Sequence, residues 1–530
     1  MPDPAARTAD LVLTGARVRT LDPALPPVSE DAAVAVRAGR IVAVGAPDEV
    51  RDWHGSGTEV VDLAGATLVP GLTDAHSHPV WGLELATGVD LSGVTDPAGL
   101  RAALAGADRT GGWVLGWGLD HNAFGGAAPH RAAIEEAVGG APTLLRLYDG
   151  HSALASGAAL AAAGITGPRE FGQRAEVVCD ADGPTGHLIE QAAMDLLTPV
   201  LPRLPRAERR ARLLDLLHAM AATGLTGAQV MDLGDLELLA SVAEEAGGLP
   251  LRLRLAPWCM PGADRDALDA LVALQGRHGP DWRVGGVKFF MDGTVEGGTA
   301  WLEHPDRHGQ GTEALWPDPG AYAEAVRYLH GAGVRTITHA IGDAAVGHVL
   351  DTVGSLGPGG RMRHRIEHVE TVPDALVPRF AALGVIASMQ PPHSAYTRAD
   401  HGDEWSRRLG PERAGRAWRV RDLRDAGAVV ALGSDWPIAP FDARGVLATA
   451  RSPRGAAAAR SGLTGLMALE GLTSHAALAA GEEREAGRIA PGYRADLTAF
   501  AVDPVAVPAD ELAGAPVVLT TVAGRVVHRG

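Results

Sequence analysis

Two histidines one residue apart, His76 and His78, end an apolar run in LVPGLTDAHSH. In an extended strand the side chains of i and i+2 share a face, so both rings can address one point. Further apolar runs end in Lys288 (GGVKFF), His339 (TITHA), His368 (RIEH) and Asp435 (ALGSD). Imidazole nitrogen and carboxylate oxygen suit zinc and similar divalent metals. A bound metal lowers the pKa of water toward about 7, the basis of metal-assisted hydrolysis. One histidine is ordinarily a satisfied surface or core residue, and a lone His-x-His is a weak signal. Six residues of ligating type, all at the ends of apolar runs, form a strong one.

Lys288 is the only lysine in a chain with 47 lysines and arginines together. A coding bias toward arginine accounts for the arginines but not for the place of the exception. VGGVKFFMDGTVEGG reads as a short buried strand entering a glycine-rich loop. A buried ammonium is costly unless paired or neutralised. Arginine stays protonated and cannot attack a carbonyl or accept CO2, whereas lysine changes its pKa readily when buried. A chemical role is therefore expected for Lys288.

The elements that must position these residues follow from the texture of the chain. Residues 10–70 read as short strands between glycines, and the same texture returns in GRIAPGYRADLTAFAVDP and PVVLTTVAGRVVHRG. The expectation is a composite β-sandwich from residues 1–70 and 485–530. From about 200 to 480, helical segments alternate with LTGAQVMD, RLRLAPW, GGVKFF, VRTITHA, RHRIEHV, GVIASMQ and AVVALGSD. With LVPGLTDAHSH as the first strand, this predicts an α/β fold of (β/α)8 TIM-barrel type over 71–80 and 200–484, with all strand ends at one mouth. Residues 81–199 are too long for one connection and are expected to form an inserted α/β lid subdomain.

At 530 residues the chain is long enough for several structural units. A formal charge of −17 and the lack of a basic stretch argue against a nucleic-acid partner. Cys179 and Cys259 are too few for a disulfide framework and read as buried thiols in a reducing compartment. There is no signal-peptide pattern and no apolar run of about 18 residues, so a cytoplasmic protein with no membrane partner is expected. No phosphate loop and no GxSxG motif is present, which speaks against a nucleotide site and a serine hydrolase.

GATLVPGLTDAHSHP, LYDGHSALAS, GPTGHLIE, VKFFMDGTVEGGTA, THAIGD, RIEHVE, SMQPPH, GSDWPI and ADLTAF together resemble the amidohydrolase superfamily of metal-dependent hydrolases. The resemblance is to its long-chain YtcJ-like branch, which includes N-substituted formamide deformylases. It implies one or two divalent metals, zinc first, with His76, His78 and Asp435 at one and His339 and His368 at a second. Lys288 would be N6-carboxylated and bridge them, or remain unmodified and orient substrate. Asp435 would act as general base and then acid. His151 and His393 are candidate oxyanion donors, and Asp292 orients a ligand or caps its loop, which also carries Glu296. Trp117, Asp120, His121 and Trp436 suggest a partly aromatic pocket for an apolar N-substituent. TVEGG departs from the serine- and arginine-containing loops of relatives. The function implied is hydrolysis of a non-peptide C–N bond in a small-molecule amide, foremost a linear amide such as an N-substituted formamide. The alternatives are a cyclic-amide or carbamate hydrolase, or a metal-dependent lyase or isomerase. A homodimer is the expected assembly.

Overall fold

A computed structural model describes residues 8–357 and 362–530. Both chain ends enter one eight-stranded sheet. Leu11–Val18, Ser29–Arg37, Arg40–Gly45, Glu59–Asp62 and Thr67–Pro70 come from the first end, and Leu497–Phe500, Val517–Val522 and Arg525–Arg529 from the second. The ends join where Leu497–Phe500 runs antiparallel to Thr67–Pro70, with Phe500 opposite Thr67. Alternation sorts the faces, as a period of two requires. Leu11, Leu13, Val34 and Val36 fill one core with Leu497 and Ala499, while Val12, Ala33 and Ala35 face Val50 and Trp53. The sheet is fastened to the rest of the chain by Thr498 Oγ1 and Thr520 Oγ1, which donate to Gly224 O at 2.7 Å and Ala221 O at 2.9 Å.

Each of the eight apolar runs expected to be parallel strands is one. Leu72–Ser77, Leu225–Val230 and Arg252–Leu255 pair in parallel in one five-stranded sheet, together with a ninth parallel strand, Trp282–Val284, outside the eight runs. Val287–Phe290, Thr336–Ala340, Arg365–His368, Ile386–Met389 and Val430–Leu432 form a second, wholly parallel one. Helices such as Leu236–Glu245, Pro319–Gly331 and Asp343–Gly354 connect them and bury their apolar sides in the shared core.

The expected closed barrel needs correction in one respect: these ladders do not close. Gly285 and Gly286, the latter at φ +97°, interrupt the chain between Val284 and Val287. The two sheets then meet through an isolated bridge, Trp258 to Lys288. At the opposite seam, single backbone bonds run from Asp435 N to His76 O at 2.7 Å and from His78 N to Trp436 O at 2.9 Å. Both seams fall at residues that the sequence singled out for chemistry.

Between the first and second parallel strands lies a seven-stranded mixed sheet, including Trp113–Leu119, Thr143–Leu147, Ser152–Ala155 and Gly183–Ile189. It has two apolar cores of its own, one around Leu91, Leu119 and Leu145 and one around Leu144, Leu160 and Leu188. Cys179 and Cys259 are both free thiols. Among the described residues, no helix is long and apolar enough to cross a membrane.

Candidate active site

His76, His339, His368 and Asp435, each at the carboxyl end of a parallel strand or just past it, line one cavity with His78 and with Lys288, which is the second residue of its strand Val287–Phe290 rather than the last. Asp435 is the common neighbour. Its Oδ1 lies 3.3 Å from His76 Nε2 and from His78 Nε2, and its Oδ2 lies 3.7 Å from His368 Nδ1 and His393 Nε2. The backbone is strained at these ends, with φ +60° at Asp435 and +74° at His368, a region that non-glycine residues rarely enter. Asp74 holds the Asp435 loop: its Oδ1 accepts from His76 N and Ser434 N, both at 3.0 Å, and its Oδ2 from Ser434 Oγ at 2.5 Å.

Two buried carboxylates fix the ring orientations. His76 Nδ1 donates to Glu367 Oε2 at 2.6 Å, and His78 Nδ1 donates to Asp232 Oδ2 at 2.7 Å. Each ring therefore turns its Nε2 lone pair into the cavity, the arrangement that raises the basicity of a metal-ligating imidazole. Glu367 is held in turn by the buried Arg365, whose Nε donates to Glu367 Oε1 at 2.9 Å; the same guanidinium also bonds Gln229, Ala75 O and Ser388 Oγ.

The donor set fits a divalent cation. Ligating atoms of His76, His368 and Asp435 lie within 4.8 Å of one another. His368 Nδ1 is buried with no hydrogen-bond partner among the described residues, a cost that a cation would remove. Burial pushes His76, His339 and His368 well below the usual imidazole pKa, with Lys288 and neighbouring histidines adding to the shift. They are thereby kept in the neutral form that ligates metal. Burial would lower His78 as well, but Asp232 and Asp435 outweigh it and raise it to about 9; a bound metal displaces such a proton.

Lys288 is 1% exposed, and no described residue gives its ammonium a hydrogen bond or ion pair. The Phe290 ring centroid lies 4.9 Å from its Nζ. Burial lowers its pKa to about 8, although Glu367 and Asp435 pull upward. Lys288 is thus buried as expected, with the Phe290 ring beside its ammonium. His339 donates through Nε2 to Gly293 O at 3.0 Å, and its ring centroid is 4.4 Å from that of His368.

The inserted segment supplies the opposite wall. His151 Nδ1 donates to Glu190 Oε2 at 2.8 Å, and Glu190 N donates back to His151 O at 2.6 Å. Burial alone would lower the His151 pKa; Glu190 outweighs it and raises it to about 9. Tyr148 stacks on Tyr396 at 4.0 Å and donates to Glu296, whose pKa burial and Glu370 raise to about 8.

His151 and His393 therefore face the cavity, and five other residues expected at the substrate do not. Asp292 is fully buried behind His339, accepting backbone N–H groups of Trp301, Ile341 and Gly342 at 2.8, 3.0 and 2.8 Å. Asp120 caps the short turn His121–Phe124 through Asn122 N, and His121 is bonded to Asp149 at 2.9 Å. Trp117 lies in the strand Trp113–Leu119 and does not line the cavity. Trp436 turns away to cover Gly82, where a Cβ would lie 2.6 Å from its ring. The aromatic wall comes instead from Trp81, Trp258 and Phe290, packed edge to face at 5.2 and 5.1 Å. The sequence reading missed these, along with Asp232, Glu190, Glu367 and Glu370. Asp232 and the two glutamates of RIEHVE carried a usable signal, since they are acids at strand ends like Asp435.

This constellation is that of a metal-dependent hydrolase. The chain belongs to the amidohydrolase family, whose model matches residues 59–528, and within it to the YtcJ-like branch; it is an enzyme hydrolysing carbon–nitrogen bonds. It is 28% identical to the N-substituted formamide deformylase of Arthrobacter pascens over 97% of both chains. It is 27% identical to the YtcJ protein of Bacillus subtilis over 94% of this chain and 96% of that one. In fold it is similar to an uncharacterized metal-dependent hydrolase from Pyrococcus horikoshii, with a TM-score of 0.72 at 23% identity, covering 94% of this chain and 99% of that one.

Proposed function

We propose that this enzyme hydrolyses a linear, non-peptide amide, foremost an N-substituted formamide, with zinc as its divalent metal. The observation that carries the reading is the placing of Asp435 among four histidines, two of them oriented from behind by Glu367 and Asp232. The deformylase similarity over nearly the full chain supports the formamide, and the aromatic wall of Trp81, Trp258 and Phe290 suits an apolar N-substituent. On this reading the eight parallel strands are those of a (β/α)8 barrel opened at two seams. A β-sandwich of residues 1–70 and 485–530 and an inserted lid of residues 81–199 are part of the same proposal.

His76, His78, His339, His368 and Asp435 would hold one or two metals. Lys288 in its free-amine form would add CO2 and release a proton, giving a carbamate between them. When bound, the metal supplies Lewis acidity that polarises a carbonyl and acidifies water. Asp435 accepts a proton from the attacking water as its oxygen bonds to the carbonyl carbon. His151, held by Glu190, and His393 offer N–H donors to the oxyanion. Asp435 then returns the proton to the departing nitrogen as the C–N bond breaks, leaving a carboxylic acid and an amine. A small-molecule substrate, a cytoplasmic setting consistent with two free cysteines, and a homodimer complete the proposal.

The test is formate release from a panel of N-substituted formamides, with elemental analysis of the same preparation. Formate release that scales with metal content and disappears in Asp435→Asn is expected. Turnover of cyclic amides with none of formamides would reject the linear-amide assignment.

A further inference from the structure

A second cavity, about 750 Å³, opens between the inserted sheet and the parallel-strand core, within the size range of single-ligand sites. Leu83, Leu115, Leu144, Leu201 and Leu236 give it apolar walls. One charged group inside it is anomalous. Arg146, on the strand Thr143–Leu147 and on the same side as Leu144, lines this cavity half-buried. Its guanidinium makes no hydrogen bond or ion pair with any described residue.

The contrast with Arg365 is direct, since that buried guanidinium is bonded to Glu367, Gln229, Ala75 O and Ser388. Three of the four acids of the cavity are engaged elsewhere, and the fourth, Glu237, makes no ion pair with Arg146. Glu84 and Asp235 take Arg209 at 3.1 and 3.0 Å, and Asp195 takes Gln191 Nε2 at 2.7 Å. Arg209 Nε is itself buried without a partner. Burial lowers the Arg146 pKa, and Asp195 and Glu84 oppose that only from beyond ion-pair distance. A half-buried guanidinium that lines a cavity without a counter-ion is free to take an incoming anion. Its planar fork matches a carboxylate in two parallel hydrogen bonds.

We infer that this cavity is a binding site for an amphipathic carboxylate, its head on the Arg146 guanidinium and its apolar chain along the leucine walls. Trp81 and Gln191 line both this cavity and the catalytic one, so an occupant lies against the back of the substrate wall.

The test is calorimetric titration of the full-length protein with octanoate, octan-1-ol and inorganic phosphate, in wild type and Arg146→Met. It reads binding rather than turnover and so stands apart from the amidase assignment. Octanoate should bind saturably, and Arg146→Met should weaken it about tenfold or more, the value of a charge-assisted bond. Octan-1-ol and phosphate should each bind more weakly than octanoate. Equal octanoate affinity in the variant, no saturable binding, or tighter binding of either control would overturn the inference. The unliganded variant should melt no lower than wild type, because it loses an unpaired charge. A clear drop would make Arg146 a structural residue and also overturn it.

Discussion

Glu367 Oε2 lies 2.6 Å from His76 Nδ1, which commits the other nitrogen of His76 to the cavity, 3.3 Å from Asp435. Glu367→Gln keeps the shape of the contact but removes the charge that holds the ring. Metal affinity and kcat/KM should fall about 10–100-fold, the usual effect of losing such a support. Competition with a chelator gives the affinity, and circular dichroism checks the fold. Unchanged affinity would remove Glu367 from the design of the site.

Lys288→Arg keeps a cation but cannot form a carbamate. Activity should be abolished and metal content lowered, with the fold intact. Reconstitution of metal-free wild type should also depend on bicarbonate. Near-normal turnover in the variant, or loading indifferent to bicarbonate, would leave the lysine unmodified.

Glu190 holds a backbone of φ +66° and ψ 160°, a region almost reserved for glycine, and orients His151 from there. Glu190→Gln should lower kcat substantially while KM changes little, because the donor it positions acts on the oxyanion. Glu190→Asp should restore part of kcat. A change confined to KM would make this pair a substrate contact instead.

Stability should fall with acid through His364, away from the catalytic cluster. Its Nδ1 accepts from Thr336 N and Oγ1, and burial, with His330 and Arg335 adding, lowers its pKa to about 4. In the unfolded chain it titrates near 6.5, so between those values the unfolded state binds more protons. Its contribution is fully present above about pH 6.5 and is lost as pH falls toward 4, by roughly 1.4 kcal/mol per pH unit. Urea titrations from pH 7 to 5 on metal-free protein should show a shallower loss for His364→Gln than for wild type. Parallel curves would place the sensitivity elsewhere.

Much of the site was legible because its signals are local. A short apolar run ending in His, Lys or Asp specifies a strand and the residue at its end, and His76, His78, Lys288, His339, His368 and Asp435 all reach one cavity. The single lysine stood out by composition, and the structure buries it with no hydrogen bond or ion pair from any described residue. Recurring texture at the two chain ends likewise anticipated their meeting, realised in the pairing of Phe500 with Thr67.

Other features lie beyond local pattern. Trp117 and Trp81 are equally apolar in the sequence, yet Trp81 lies against His78 in the cavity wall while Trp117 stays in the inserted sheet, off the cavity. Asp292 and Glu190 are both isolated acids near glycines. One is consumed by three backbone N–H groups, while the other holds His151, 39 residues away within the inserted segment. The sequence by itself determined which residue types stand at the strand ends, because periodicity and turn chemistry act over a few neighbours. Which distant side chains pair behind them, and which arginine is left without a partner, was decided by tertiary packing, since hydrogen bonds and burial are fixed only when segments far apart in the chain meet.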